Sequence, residues 1–162
     1  MMVAPLQAMH VQEVRMFRHI LVPVDGSELT DRAIDASIAL AKQLGAAITG
    51  FVAEPLLPIP SMPRARTMIE REAREHHANT EAHARKILAR FEAAAQVAGV
   101  PFKGVFDQVP QVDHAIIEAA ESQGCDMIVM VTHGRGAFGE FLFGSQTKAV
   151  LAGSKLPLLV LH

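Results

Sequence analysis

Apolar and polar positions alternate in a regular way from residue 17 onward. HILVPV, His19 to Val24, is a short run of Val, Ile and Leu that ends at Asp25-Gly26-Ser27, the signature of a buried strand leaving into a turn. Leu29, Ala33, Ala36, Leu40 and Leu44 then recur at helical spacing, with Ser27 as the predicted N-cap and Gly45 as the stop. AAITGFVA, Ala46 to Ala53, predicts a second buried strand, and the prolines between Pro55 and Pro63 forbid helix and central strand alike, so that stretch reads as a loop. A long helix is predicted over Arg66 to Ala98. Its buried stripe would be Ile69, Ala73, His76, Thr80, Ala84, Ile87, Phe91 and Ala94 or Ala95, with Glu70–Arg74 and Glu81–Arg85 on the wet face.

Past Gly99, PFKGVFD (Pro101 to Asp107) is a less apolar strand that belongs nearer a sheet edge. VDHAIIEAAESQG predicts a third helix with Asp113 as N-cap and Gly124 as stop, and CDMIVMV (Cys125 to Val131) is the most continuous buried strand. Thr132 to Phe143 is dense in glycine, Ser145 to Ala152 reads as a short helix, and LPLLVLH (Leu156 to His162) as a terminal strand. Apolar strands alternating with helices require a mainly parallel, five-stranded sheet covered on both faces, and right-handed crossovers make it a three-layer, doubly wound α/β domain. Ligands of such sheets bind beyond the carboxyl ends of the strands, where the winding reverses.

Composition narrows the functions open to this fold. The 162 residues make one domain, divided here into an N-terminal extension, 1–16, and a domain over 17–162. Fifteen basic against 17 acidic residues give a net charge of −2, which argues against a nucleic-acid binder or an anionic-membrane binder. The single cysteine, Cys125, excludes an intramolecular disulfide and suits a reducing compartment. No apolar run is long enough to span a membrane, and the N-terminus lacks the basic start and apolar stretch of a secretory signal, so a cytoplasmic protein is expected.

The glycine-dense segment carries the candidate chemistry. Gly134, Gly136 and Gly139 spell G-x-G-x-x-G after a strand, but the chain ends at the next strand without the acidic residue that a dinucleotide ribose needs. Gly139 and Gly144 have Walker spacing, yet Ser145-Gln146 stands where that loop has its lysine. Two readings of the spacing stay open. In one, Gly134 and Gly144 let backbone amides approach a polyanion, the amides and hydroxyl at the start of the last helix (Ser145, Gln146, Thr147) point at it, and Arg135 adds a charged contact. In the other, the glycines form turns and Ser145 is an ordinary N-cap.

VPVDGSE at the first strand end, together with THGRGAFGEFLFGSQTKAVLAGSKLPLLVL, resembles a universal stress protein domain. The family's nucleotide motif is G-x-x-G-x9-G-[ST]; this chain has Val131-Thr132-His133-Gly134, nine residues, then Gly144-Ser145, so Val131 replaces the first glycine. The resemblance covers Phe17 to His162 and implies an adenine nucleotide alpha hydrolase-like, Rossmann-like fold with strand order 3-2-1-4-5. It implies that Asp25, beside Pro23 and Val24, hydrogen-bonds the nucleotide, that Val52 meets adenine through its backbone, and that Met130 lines the adenine pocket. Gly134, Gly144, Ser145, Gln146 and Thr147 would bind ribose and phosphates. The implied ligand is ATP, with Mg²⁺ between its phosphates, and the implied partner is a second copy joined through the terminal strand.

The remaining reactive side chains read as structural. His133 is a turn histidine beside the cradle; His76, His77 and His83 lack metal-ligand spacing and belong to the surface or an interface. Cys125 is a small core residue. No activated base–nucleophile pair is present, so no catalytic residue is assigned. Three functions follow as expectations: a dimeric ATP-binding stress regulator, a slow ATPase, or an interaction module whose pocket Val131 blocks.

Overall fold

The computed structural model describes residues 16–57, 65–132 and 144–162. Within them strands and helices alternate strictly: β1 (His19–Pro23), α1 (Thr30–Leu44), β2 (Ala47–Pro55), α2 (Arg66–Ala98), β3 (Phe102–Val109), α3 (Val112–Ser122), β4 (Met127–Val131), α4 (Ser145–Gly153) and β5 (Leu158–Leu161). Every strand pairing is parallel and the order is β3-β2-β1-β4-β5, as the resemblance implied. The weakly apolar β3 lies at one edge and β5 at the other.

Strand alternation sorts the core into two layers, because successive side chains leave opposite faces. Ile20, Val22, Ile48, Val52, Met127 and Val129 pack with Ala33, Ile34 and Ile38 of α1 and with Ala84, Ile87, Phe91 and Ala95 of α2. Leu21, Phe51, Ile128 and Met130 pack with Ala115, Ile116, Ala119 and Ala120 of α3 and with Val150 of α4. Each strand thus needs apolar residues at consecutive positions, which is why the runs read as continuous.

Three local expectations are corrected. Ser27 is not the N-cap of α1: the helix starts at Thr30 after Leu29, and Ser27 instead accepts the Thr30 amide through its carbonyl, at 3.0 Å. Asp113 does not cap α3; Gln111 occupies that position without a side-chain bond, and Asp113 lies in the first turn, where its charge suits the helix dipole. The stripe of α2 is buried only in its second half, at Ala84, Ile87, Phe91 and Ala95. Ile69 and Ala73 are exposed, and His76 and Thr80 half-buried. Thirty-three residues make a helix of about 50 Å, whereas the nine-residue β2 spans about 30 Å, so the first half of α2 has little sheet to cover.

Candidate functional site

The carboxyl end of β1 is held by hydrogen bonds that follow from its turn residues. Val24 donates its amide to the Phe51 carbonyl at 2.9 Å, keeping β1 and β2 together to their ends. Asp25 then folds back: its Oδ1 accepts the Ser27 amide at 2.9 Å, a turn that short acidic side chains favour. Gly26 sits at φ +79°, a conformation that costs a side-chain-bearing residue, and donates its amide to Thr30 Oγ1 at 3.0 Å. The loop is therefore fixed from within, with Asp25 at its apex.

Facing it is the start of α4. Gly144 takes the N-cap position, and the first helical hydrogen bond runs from the Lys148 amide to the Gly144 carbonyl at 3.1 Å. The amides of Ser145, Gln146 and Thr147 precede that bond and have no acceptor inside the helix, which makes this end an anion-attracting one. Gly144 has a negative φ of −54°, and a Cβ placed there would meet no described residue within 4 Å. Its missing side chain keeps space open rather than relieving backbone strain.

Between these two ends lies a cavity of about 420 Å³, within the range of small-molecule sites. It sits where β1 is flanked by β2 on one side and β4 on the other, the point at which the winding of the sheet reverses. Of the expected site residues, Pro23, Val24, Asp25, Met130, Gly144, Gln146 and Thr147 line it together. Val52 and Ser145 are not among its lining residues: the Val52 side chain is fully buried in the opposite layer, against α1 and α2, and Ser145 is exposed. Gly134, Arg135 and His133 lie outside the described residues.

The cavity also takes residues that the sequence did not single out. Phe51, Ala53, Val112 and Ile116 form an apolar floor with Met130, while Thr30 and Thr132 add hydroxyls. Strand alternation could have found some of them. Since Val52 faces α1 and α2, Phe51 and Ala53 must face the other way, and Thr132 follows Met130 on its own face. Val131 lines the cavity as well and packs against the α1–α2 layer. Among the described residues only Phe17 combines a side chain with a positive φ, so Val131 holds an ordinary strand conformation without strain.

The chemistry available is that of binding. An apolar floor suits a flat aromatic base, and the N-terminus of α4 suits an anion. Cys125 lies before the other end of β4, buried, and burial pushes its thiol up to about 11; the Asp126 charge adds to the rise and a hydrogen bond with Thr49 opposes it. A thiol so protonated is a poor nucleophile. Among the described residues no group of three or more His, Cys, Asp or Glu could hold a metal ion.

Known proteins similar to this chain share one family description. The model of the Universal stress protein family matches residues 16–162. A universal stress protein from Thermus aquaticus, named for the region 3′ of a QAH/OAS sulfhydrylase, is 32% identical over 147 residues, covering 91% of this chain and all of that one. A universal stress protein solved in complex with cAMP superimposes with a TM-score of 0.63 at 21% identity, over 91% of this chain and 98% of the other. The universal stress protein of Archaeoglobus fulgidus in complex with dAMP gives 0.58 at 16% identity, over 91% and 99%.

Proposed function

The chain belongs to the universal stress protein family, and from that premise we propose that it binds an adenine nucleotide, ATP, in the cavity between the β1 loop and the start of α4. The observation that carries the reading is the convergence of Asp25, Met130, Gly144, Gln146 and Thr147, from three separate stretches of chain, on one cavity of about 420 Å³ at the switch point of the sheet. The relatives solved with cAMP and dAMP support the ligand class.

Base and phosphates divide between the two ends of the site. Adenine lies on the floor made by Phe51, Ala53, Ile116 and Met130, and the phosphates face the amides that open α4. Mg²⁺ bound to the phosphates would neutralise part of their charge. The sequence adds Gly134 and Arg135, outside the described residues, as further phosphate contacts. The protein acts in the cytoplasm as a regulator or sensor whose ligand state is read by a partner, and two copies pair through β5. Calorimetric titration with ATP tests the reading. Asp25→Ala and Gly144→Val are expected to abolish binding, and apo Gly144→Val should melt like the parent, since no described residue stands within 4 Å of the position its Cβ would take. Unchanged affinity in both variants removes the site.

Val131 at the cavity wall favours one second reading, an interaction module without nucleotide. The same titration separates the two: no heat and no thermal stabilisation by ATP would remove the nucleotide reading and favour this one.

A further inference from the structure

Resting on the nucleotide reading, we propose that the site selects a ribose over a deoxyribose, and that the Thr132 hydroxyl is its specificity-determining group. Thr132 and Thr147 are only 7% and 4% exposed, and neither side chain has a hydrogen-bond partner among the described residues. Yet no fully buried side-chain nitrogen or oxygen among those residues lacks a partner. The two hydroxyls are therefore not sealed in the core, and both residues line the cavity. A nearly buried hydroxyl without a partner among the described residues has hydrogen-bonding capacity to offer a ligand.

The ligand's chemistry says which part meets it. The floor of Phe51, Ile116 and Met130 offers the base no hydroxyl, and the start of α4 offers the phosphates backbone amides. Asp25 brings a carboxylate into the same cavity, and like charges keep phosphates away from it. What remains between base and phosphate is the sugar, whose two hydroxyls donate and accept. A carboxylate and a threonine hydroxyl at one cavity match such a vicinal diol: Asp25 accepts from one hydroxyl, and Thr132 exchanges a hydrogen bond with the other. Thr132 suits that task because its backbone is already fixed, its amide donating to the Leu161 carbonyl at 2.8 Å, so the hydroxyl is presented without loop ordering. A site built around a sugar hydroxyl rejects the analogue that lacks it, because its own polar group is then stranded.

The experiment is calorimetric titration of the full chain with ATP, 2′-deoxyATP and 3′-deoxyATP, for the parent, Thr132→Val and Thr132→Ser. The parent is expected to bind ATP about tenfold more tightly than at least one deoxy analogue, one hydrogen bond's worth. Thr132→Val should weaken ATP by the same factor, leave that analogue unchanged and so erase the preference. Thr132→Ser should retain it. Because the hydroxyl has no partner among the described residues, the apo melting temperature of Thr132→Val should not fall, which separates recognition from a structural role. Equal affinity of the parent for all three nucleotides overturns the proposal alone. So does a preference that survives Thr132→Val, or an equal loss for every ligand. Absence of binding by any nucleotide overturns the nucleotide reading itself, and the proposal with it.

Discussion

At the scale of single residues, Gly26 joins the site to the helix behind it. Its φ of +79° already excludes an unstrained side chain, and a Cβ there would stand 2.7 Å from His83 Nε2 and 2.9 Å from Ile87 Cδ1. Gly26→Ala is therefore expected to cost about 1–3 kcal/mol in denaturant unfolding, combining backbone strain with a clash. Adding His83→Ala should recover only the part due to the clash with His83, leaving the strain and the contact with Ile87. Cys125 makes a second residue-level prediction. Its thiol ionises near 11 in the folded protein against 9.0 for an ordinary cysteine, so the unfolded chain releases this proton first. Stability is then full below pH 9 and falls as the pH rises from 9 toward 11. Cys125→Ala should flatten that decline in alkaline melting curves.

Among the elements, α2 divides into two halves with different energetics. Phe91 is fully buried and stacks at 4.7 Å between ring centroids on Phe102 of β3. Phe91→Ala is expected to cost about 3–5 kcal/mol in chemical denaturation. Met68, 53% exposed in the half that outruns the strands, should tolerate Met68→Ser within about 0.5 kcal/mol. That first half is held by surface ion pairs, Arg66–Glu70 and Arg71–Glu75, and by His76 and His77, which reach the Pro55 carbonyl and Gln108 Oε1. Such contacts are individually weak, so the half should exchange amide hydrogens faster than the stretch around Phe91.

For the molecule as a whole, the edge strand β5 and the cavity together make the prediction. β5 pairs only with β4 among the described strands, and its four residues are half-buried. An apolar edge of this kind invites a second chain. Sedimentation over a dilution series is expected to show a species of twice 17.5 kDa, and a monomer alone at every concentration would refute the pairing. ATP at a hundred times its dissociation constant should add about 2.7 kcal/mol to the stability of the folded state, read as a rise in melting temperature.

The sequence by itself determined the order of the elements, since Val, Ile and Leu runs bounded by Gly and Pro leave few alternatives, and the limits of α2 fall at Arg66 and Ala98 as its periodicity predicts. It also pointed to the carboxyl ends of the strands, where the cavity lies, with Asp25 visible in VPVDGSE and Gly144 in the spaced glycine motif. Hydrogen-bonded caps were not: Ser27 and Asp113 have the right chemistry for a cap, but the chain enters each helix from a direction that puts another residue there. The buried stretch of α2 depended on how far the strands extend beneath it, which no local pattern records. Only the tertiary structure placed Thr30, Phe51, Ile116 and Thr132 in one cavity with Asp25, because they come from different elements of the chain and meet through the winding of the sheet. Local periodicity specifies which face of an element is apolar; the choice of partner for that face, and the space left between partners, arises from packing the layers together.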